Sequence, residues 1–311
     1  MAENTNNTNN NNSTAEICGI LPVAKPAGWT SFDVIAKLRG VLKIKRLGHS
    51  GTLDPMATGV LPVFVGRATK SCDIIPDRRK VYTAGFEFGK ETDTLDSTGT
   101  LLKTSDKAVC IEDIMSAKGH FIGDIMQVPP MYSAIKVGGK KLYELARAGK
   151  EIEREPRPVH IDSIDILEYD EKLRRGVMKV DCEKGTYIRS VIADIGEKLG
   201  CGGIMTSLER SYSGGVDIAD CFTLEQIVEN CAKGRLEAMI MPCDKAFECY
   251  EKTTLGEWET KLYKNGVKLR PEQSGIAEPK EDGLYRVYGS SGDFLGIGRF
   301  KDGCFKSFKN F

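Results

Sequence analysis

Between Met178 and Leu199 the hydrophobic period changes from two to 3.6. Met178, Val180 and Cys182 alternate, as on one face of a strand. Beyond Gly185, residues Ile188, Val191, Ile192, Ile195 and Leu199 fall at i, i+3, i+4, i+7 and i+11, one apolar stripe of a helix. A chain built this way has to bury a helix face against a sheet. The mixture recurs elsewhere. Val60 to Val65 reads as a strand, and Tyr82, Ala84, Phe86 and Phe88 alternate along Lys80 to Phe88. Ser31 is the predicted N-cap of a helix carrying Phe32, Ile35, Leu38 and Leu42. Residues 108–118 read as a helix, and Thr223 with Gln226 forms a predicted capping box for another. After residue 250 short strands alternate with turns such as Gly289-Ser290-Ser291-Gly292 and Asp302-Gly303, which predicts a small β-rich module. The expected fold class is mixed α/β (α+β): a mixed sheet with flanking helices, then a small β domain.

Composition agrees with that class. The 311 residues correspond to about two domains. At 41% hydrophobic and 28% charged residues, a fully disordered, collagen-like or membrane-embedded chain is excluded. Apolar runs such as Gly59 to Gly66 are far short of the roughly 20 residues of a membrane helix. Residues 1–17 are different: seven Asn stand between Asn4 and Asn12, and a disordered tail is expected there. No basic stretch followed by an apolar one opens the chain, so no secretion signal and a cytoplasmic location are expected. The ten cysteines form no CxxC pair and only three histidines accompany them, so reduced thiols and no metal site are expected.

The 44 basic and 44 acidic residues cancel overall but not locally. From Lys25 to Lys80 eleven Lys/Arg oppose four Asp/Glu, and from Ser133 to His160 seven oppose four. Bases interleaved with glycines and aromatics in the first segment suggest a polyanionic partner.

One acid stands in the middle of the first basic segment. Asp54 lies in Gly48-His49-Ser50-Gly51-Thr52-Leu53-Asp54-Pro55-Met56-Ala57-Thr58-Gly59, with no other acid between Asp33 and Asp73. Gly51 and Gly59 permit tight turns, and Pro55 keeps Asp54 extended. By itself an Asp before Pro is ordinarily a turn residue.

Gly48 to Leu61 resembles the catalytic loop of the TruB family of pseudouridine synthases, G-H-x-G-T-L-D-P-x-A-x-G-x-L, at every fixed position. Lys25-Pro26-Ala27-Gly28-Trp29-Thr30-Ser31 resembles its K-P-x-G-x-T-S. Lys80-Val81-Tyr82, then Gly89, Thr92, Thr94, Asp96 and Gly99, resemble its K-x-Y and G-x-x-T-x-T-x-D-x-x-G. Pro129 to Lys136 and Gly139 to Gly149 resemble a tRNA-gripping insertion of the bacterial enzymes, and Lys184-Gly185-Thr186-Tyr187-Ile188-Arg189 its K-G-T-Y-I-R. The segments occur in the family's order.

The resemblance implies a catalytic domain over 18–245, with the insertion at about 125–150, and a PUA-like RNA-binding β-barrel over 251–311. It implies isomerisation of uridine 55 in the tRNA T-loop to pseudouridine, without cofactor or metal, by a monomer that needs no protein partner or membrane. Asp54 would be the nucleophile and Arg189 the partner that keeps it ionised. Tyr82 would stack on the uracil and take its C5 proton, with Leu208 on the other side of the base. His49 would contact flipped-out bases, and Lys25 and Lys70 would support RNA or pocket. Where the family usually has L-R-R, this chain has Leu208-Glu209-Arg210, which predicts one weaker phosphate contact. The alternatives are a tRNA-binding or tRNA-folding protein, a guide-RNA-dependent synthase subunit, and a nucleoside hydrolase.

Overall fold

The computed structural model describes residues 17–311; the expected Asn-rich tail, through residue 16, lies outside the described residues. Strands in chain order are β1 (Gly19–Lys25), β2 (Leu47–His49), β3 (Thr58–Val65), β4 (Arg79–Phe88), β5 (Lys90–Thr92) and β6 (Leu101–Thr104). Then come β7 (Gly123–Gln127), β8 (Lys136–Val137), β9 (Lys140–Lys141), β10 (Arg157–Asp170), β11 (Arg175–Glu183), β12 (Gly203–Ser213) and β13 (Val216–Asp217). The last four are β14 (Glu251–Thr254), β15 (Leu284–Tyr288), β16 (Phe294–Lys301) and β17 (Cys304–Asn310). Helices are α1 (Ser31–Leu42), α2 (Ile111–Lys118), α3 (Leu142–Arg147), α4 (Ile188–Leu199), α5 (Leu224–Ala232) and α6 (Glu257–Lys264).

Nine strands form one mixed sheet in the order β1-β3-β12-β4-β11-β10-β7, with β2 on β3 and β13 on β12. Its parallel junction is β12 against β3, where Arg210 faces Gly59. A Cβ at Gly59 would sit 2.2 Å from the Arg210 carbonyl oxygen, so only glycine fits this crossing. The stripe of α4 packs on β4, β11 and β12 in one core containing Tyr82, Phe86, Val180, Ile192 and Leu208. The stripe of α1 packs with α5 on β1 and β3 in a second.

Two local readings change. The N-cap of α1 is Thr30, not Ser31: Thr30 and Asp33 form the capping box, which leaves the Ser31 hydroxyl free for other work. The C-terminal module is a four-stranded sheet, β14-β15-β16-β17, that also carries α6. The helix escaped the β-rich reading because four of its eight residues are charged. Tyr263 of α6 packs with Leu269, Tyr285, Val287 and Phe305 in a separate core. A further cluster, including Ile20, Phe64, Phe247 and Ile297, joins this sheet to the first.

Candidate active site

Asp54 follows the short strand β2 in a loop held from several sides. The Ser31 hydroxyl accepts from the Leu53 N–H at 2.9 Å and donates to the Leu53 carbonyl at 3.3 Å. Lys25, at the end of β1, is 1% exposed, and its ammonium donates to the carbonyls of Pro26 (2.9 Å), Trp29 (2.6 Å) and Pro55 (3.3 Å). The Gly28 N–H also donates to the Pro55 carbonyl, at 2.8 Å. On the other flank Arg210, 1% exposed, donates from Nε to Val60 and from Nη2 to Gly51, each at 2.8 Å. The loop is therefore clamped from β1, α1 and β12, on both sides of the acid.

Arg189 reaches the carboxylate from the first turn of α4. Its Nε lies 3.0 Å from Asp54 Oδ2 and its Nη2 3.2 Å from Oδ1, a forked pair that fixes both oxygens. Arg189 is 4% exposed, and its remaining donors are also used. Nη1 donates to the Thr94 carbonyl at 2.8 Å and Nη2 to the Tyr132 carbonyl at 2.9 Å, with Asp96 Oδ2 3.7 Å from Nη1. Asp96 is in turn held by Thr94 Oγ1, Thr98 Oγ1 and the Thr98 N–H, all on Oδ1. Leu95, between Thr94 and Asp96, has φ 62, a left-handed conformation that costs a branched side chain energy. Three segments distant in sequence thus converge on one guanidinium.

Burial pushes the Asp54 carboxyl above the ordinary carboxylate range; Arg189 pulls against that rise and the nearby Asp96 adds to it. Burial also raises the Tyr82 phenol, and Arg210 opposes it. Lys25 is lowered to about 8 by burial, with Asp54 opposing. Tyr82 and Leu208 lie on the adjacent strands β4 and β12, where Tyr82 pairs with Arg210 and Leu208 with Ala84. Both join Leu53 and Ile188 in the α4 core, so the acid borders an apolar wall with one phenol in it.

Asp54, Arg189, Tyr82 and Leu208 therefore come together. His49 sits half-buried at the end of β2, its Nδ1 without a hydrogen-bond partner and its imidazole shifted toward the neutral form by burial and by Arg210. Lys25 belongs to the loop's support: all three of its donors are occupied by carbonyls, which leaves none for a phosphate. Lys70 lies in the 3-10 helix Gly66–Ser71 and donates to the Asn310 carbonyl of β17 at 3.0 Å, tying the two sheets together. Glu209 alternates onto the sheet face opposite the buried Leu208 and Arg210, away from the Asp54 wall. Asp96, Thr94, Tyr132, Ser31 and Arg210 have no site role legible in the sequence. Thr94 and Asp96 stand in the T-x-T-x-D spacing, Ser31 closes the K-P-x-G-x-T-S segment and Arg210 the Leu208-Glu209-Arg210 segment, but none of these patterns names a partner.

A TruB family pseudouridylate synthase N-terminal-domain model matches residues 39–188, and a tRNA pseudouridylate synthase B C-terminal-domain model matches residues 189–248. A protein named tRNA pseudouridine synthase B from Clostridium kluyveri is 46% identical over 94% of this chain and 99% of its own length. One of the same name from Pseudomonas syringae pv. syringae is 41% identical over 91% of both chains. Among solved structures, a chain of a Cbf5-Nop10-Gar1 complex superposes with TM-score 0.70 at 27% identity, covering 91% of this chain and 78% of that one.

Proposed function

The chain belongs to the TruB family of pseudouridylate synthases, and from that premise we propose that it converts uridine 55 in the T-arm of tRNA to pseudouridine, with Asp54 as nucleophile. The observation that carries this is the forked Arg189–Asp54 pair beside Tyr82 and Leu208.

In the reaction the N1–C1′ bond breaks, the base turns, and a C5–C1′ bond forms, while N1 gains a proton and C5 loses one. It is an isomerisation with no net change in mass or redox state. Asp54 supplies the carboxylate oxygen that takes up the electrophilic carbon during the exchange. A carboxylate beside an apolar wall drifts toward protonation, and a protonated Asp is a poor nucleophile. Arg189 resists that drift because a guanidinium stays charged, and its fork also fixes the direction of both oxygens. Tyr82 stacks on the uracil opposite Leu208. We assign its oxygen as the acceptor of the C5 proton: the phenol releases its own proton to solvent as it takes the one from C5, while N1 takes one up from solvent, and Arg210 lowers the cost of charge on the oxygen. His49 meets a flipped-out base at the rim. One chain supplies all these groups, which fits action as a monomer in the cytoplasm. The basic β8–β9 and α3 segment, where Lys141 and Arg147 flank the Tyr143 ring at 5.3 and 5.4 Å, would grip the T-arm.

The test is incubation of the purified protein with an unmodified T-arm hairpin, followed by mapping of pseudouridine and weighing of the RNA. The expected result is pseudouridine at the position of uridine 55 with unchanged mass. Released uracil would replace this reading with a hydrolase, and bound but unmodified RNA with a tRNA-folding protein.

A further inference from the structure

Phe32 is 67% exposed, although it lies in the first turn of α1 beside the reactive loop. Single exposed apolar residues are common on protein surfaces, so exposure alone says little. The mounting of this one is unusual. Thr30 and Asp33 lock the helix start around it, and Ser31, its neighbour, is hydrogen-bonded twice to Leu53, one residue before Asp54. The ring is fixed on the same rigid support as the acid.

Helical geometry shows which way that position looks. Phe32, Ala36 and Arg39 follow at i, i+4 and i+7, one stripe of α1. Arg39 donates from Nε to the Lys45 carbonyl and from Nη2 to the Leu47 carbonyl, each at 3.2 Å, so the stripe faces the returning segment 45–53. That segment runs antiparallel to α1, from the level of Arg39 at Leu47 to the level of Ser31 at Leu53. Phe32 therefore lies on the side of α1 that this segment passes, and Gly51 and Thr52 of the segment are exposed as it is. Past the C-terminal end of α1, about 16 Å along the helix from Phe32, stand the exposed Lys43, its left-handed C-cap, and Lys45.

We infer that Phe32 is a stacking platform for an unpaired nucleotide that flanks the target uridine, and that Lys43 and Lys45 take the phosphates of the strand leaving it. The inference rests on the reading above that the chain modifies tRNA. A uridine that leaves its stack unstacks its neighbours, and a rigid aromatic face beside the pocket restores that contact to one of them. Cations just past the end of the same helix carry the strand onward.

The experiment compares wild type, Phe32→Ala and Phe32→Tyr. Affinity is measured for the T-arm hairpin and for hairpins made abasic at one flanking nucleotide at a time, with pseudouridine formation and melting temperature followed in parallel. Phe32→Ala should weaken binding of the intact hairpin about tenfold, Phe32→Tyr should bind within about twofold of wild type, and all three should melt alike. At one flanking position the abasic hairpin should lose affinity for wild type but not for Phe32→Ala. An unchanged affinity in Phe32→Ala, or equal abasic losses in both proteins at every position, overturns the inference. If wild type modifies the hairpin, such a result leaves the proposed function standing; if wild type does not modify it, both fall.

Discussion

The two sheets treat charge differently. Among the described residues, every buried charged side chain lies in the half of the chain that builds the nine-stranded sheet: Lys25, Lys80, Glu87, Asp96, Arg189 and Arg210. In residues 251–311 the buried polar side chains are neutral, Thr253, Thr260 and Ser274, and charges stand in exposed pairs such as Lys264–Asp293 and Lys261–Glu257. Its core is apolar and aromatic. Burying a charge is costly unless partners surround it, so a fold does not accumulate such groups for stability. Three of the six, Lys25, Arg189 and Arg210, hold Asp54 or the loop that carries it, and a fourth, Asp96, stands beside the Arg189 guanidinium. A surface that only binds can leave its charges in water, whereas a site that makes and breaks bonds holds them dry and aimed.

The sharpest way to break that contrast is to remove the acid. Asp54→Ala should lower the single-turnover rate by several orders of magnitude while hairpin affinity changes little, as expected for a group used in the chemical step. A variant that keeps a tenth of wild-type activity would end the assignment. Next comes the fork. Arg189→Lys keeps the charge and loses the planar geometry, and turnover should fall on the order of tenfold to a thousandfold. If Arg189 only braces α4, the loss would appear in melting temperature instead, measured on the same preparation.

Lys25 sharpens the comparison from the supporting side. Lys25→Met removes three hydrogen bonds to backbone carbonyls and should cost about tenfold in turnover, because a loosened loop misplaces the carboxylate. Affinity and its salt dependence should stay as they are. If Lys25 instead met a phosphate, binding would weaken and the salt slope would flatten by about one. The smallest effect belongs to the other sheet. Lys261→Ala opens one of its surface ion pairs, with Glu257 at 2.8 Å, and should shift stability by about 0.5 kcal/mol or less, with turnover unchanged.

Much of this arrangement was legible in the sequence where it is periodic. The α4 stripe announced a helix on a sheet because its five apolar residues recur on one face, and Gly200 ends that helix in a left-handed C-cap. The alternation of Tyr82 to Phe88 marked β4 in the same way. Asp54, Arg189, Tyr82 and Leu208 were named through the resemblance, since no local pattern separates a reactive Asp-Pro from a turn. What stayed hidden is nonlocal. The carbonyls of Thr94 and Tyr132 meet Arg189 across 95 and 57 residues, and carbonyls leave no signature in side-chain spacing. Arg210 stands beside Glu209 in the segment that departs from L-R-R, and strand alternation sends position 209 outward and position 210 inward. Ser31 has the residue type and position of a cap, but Thr30 takes that role and the Ser31 hydroxyl is bonded to Leu53 instead.

The central claim is that the guanidinium of Arg189 keeps Asp54 ionised against the pull of burial. Burial raises the Asp54 pKa and Arg189 opposes the rise, so turnover must be lost as pH falls through that pKa, and weakening the guanidinium must move the loss to higher pH. The measurement is the single-turnover rate against pH for wild type and Arg189→Gln, which removes the charge, on one T-arm hairpin at RNA concentrations that saturate both. The predicted result is an acid limb in each, displaced to higher pH in Arg189→Gln. Acid limbs that coincide would contradict the account, because Arg189 would then have no hold on the charge of Asp54.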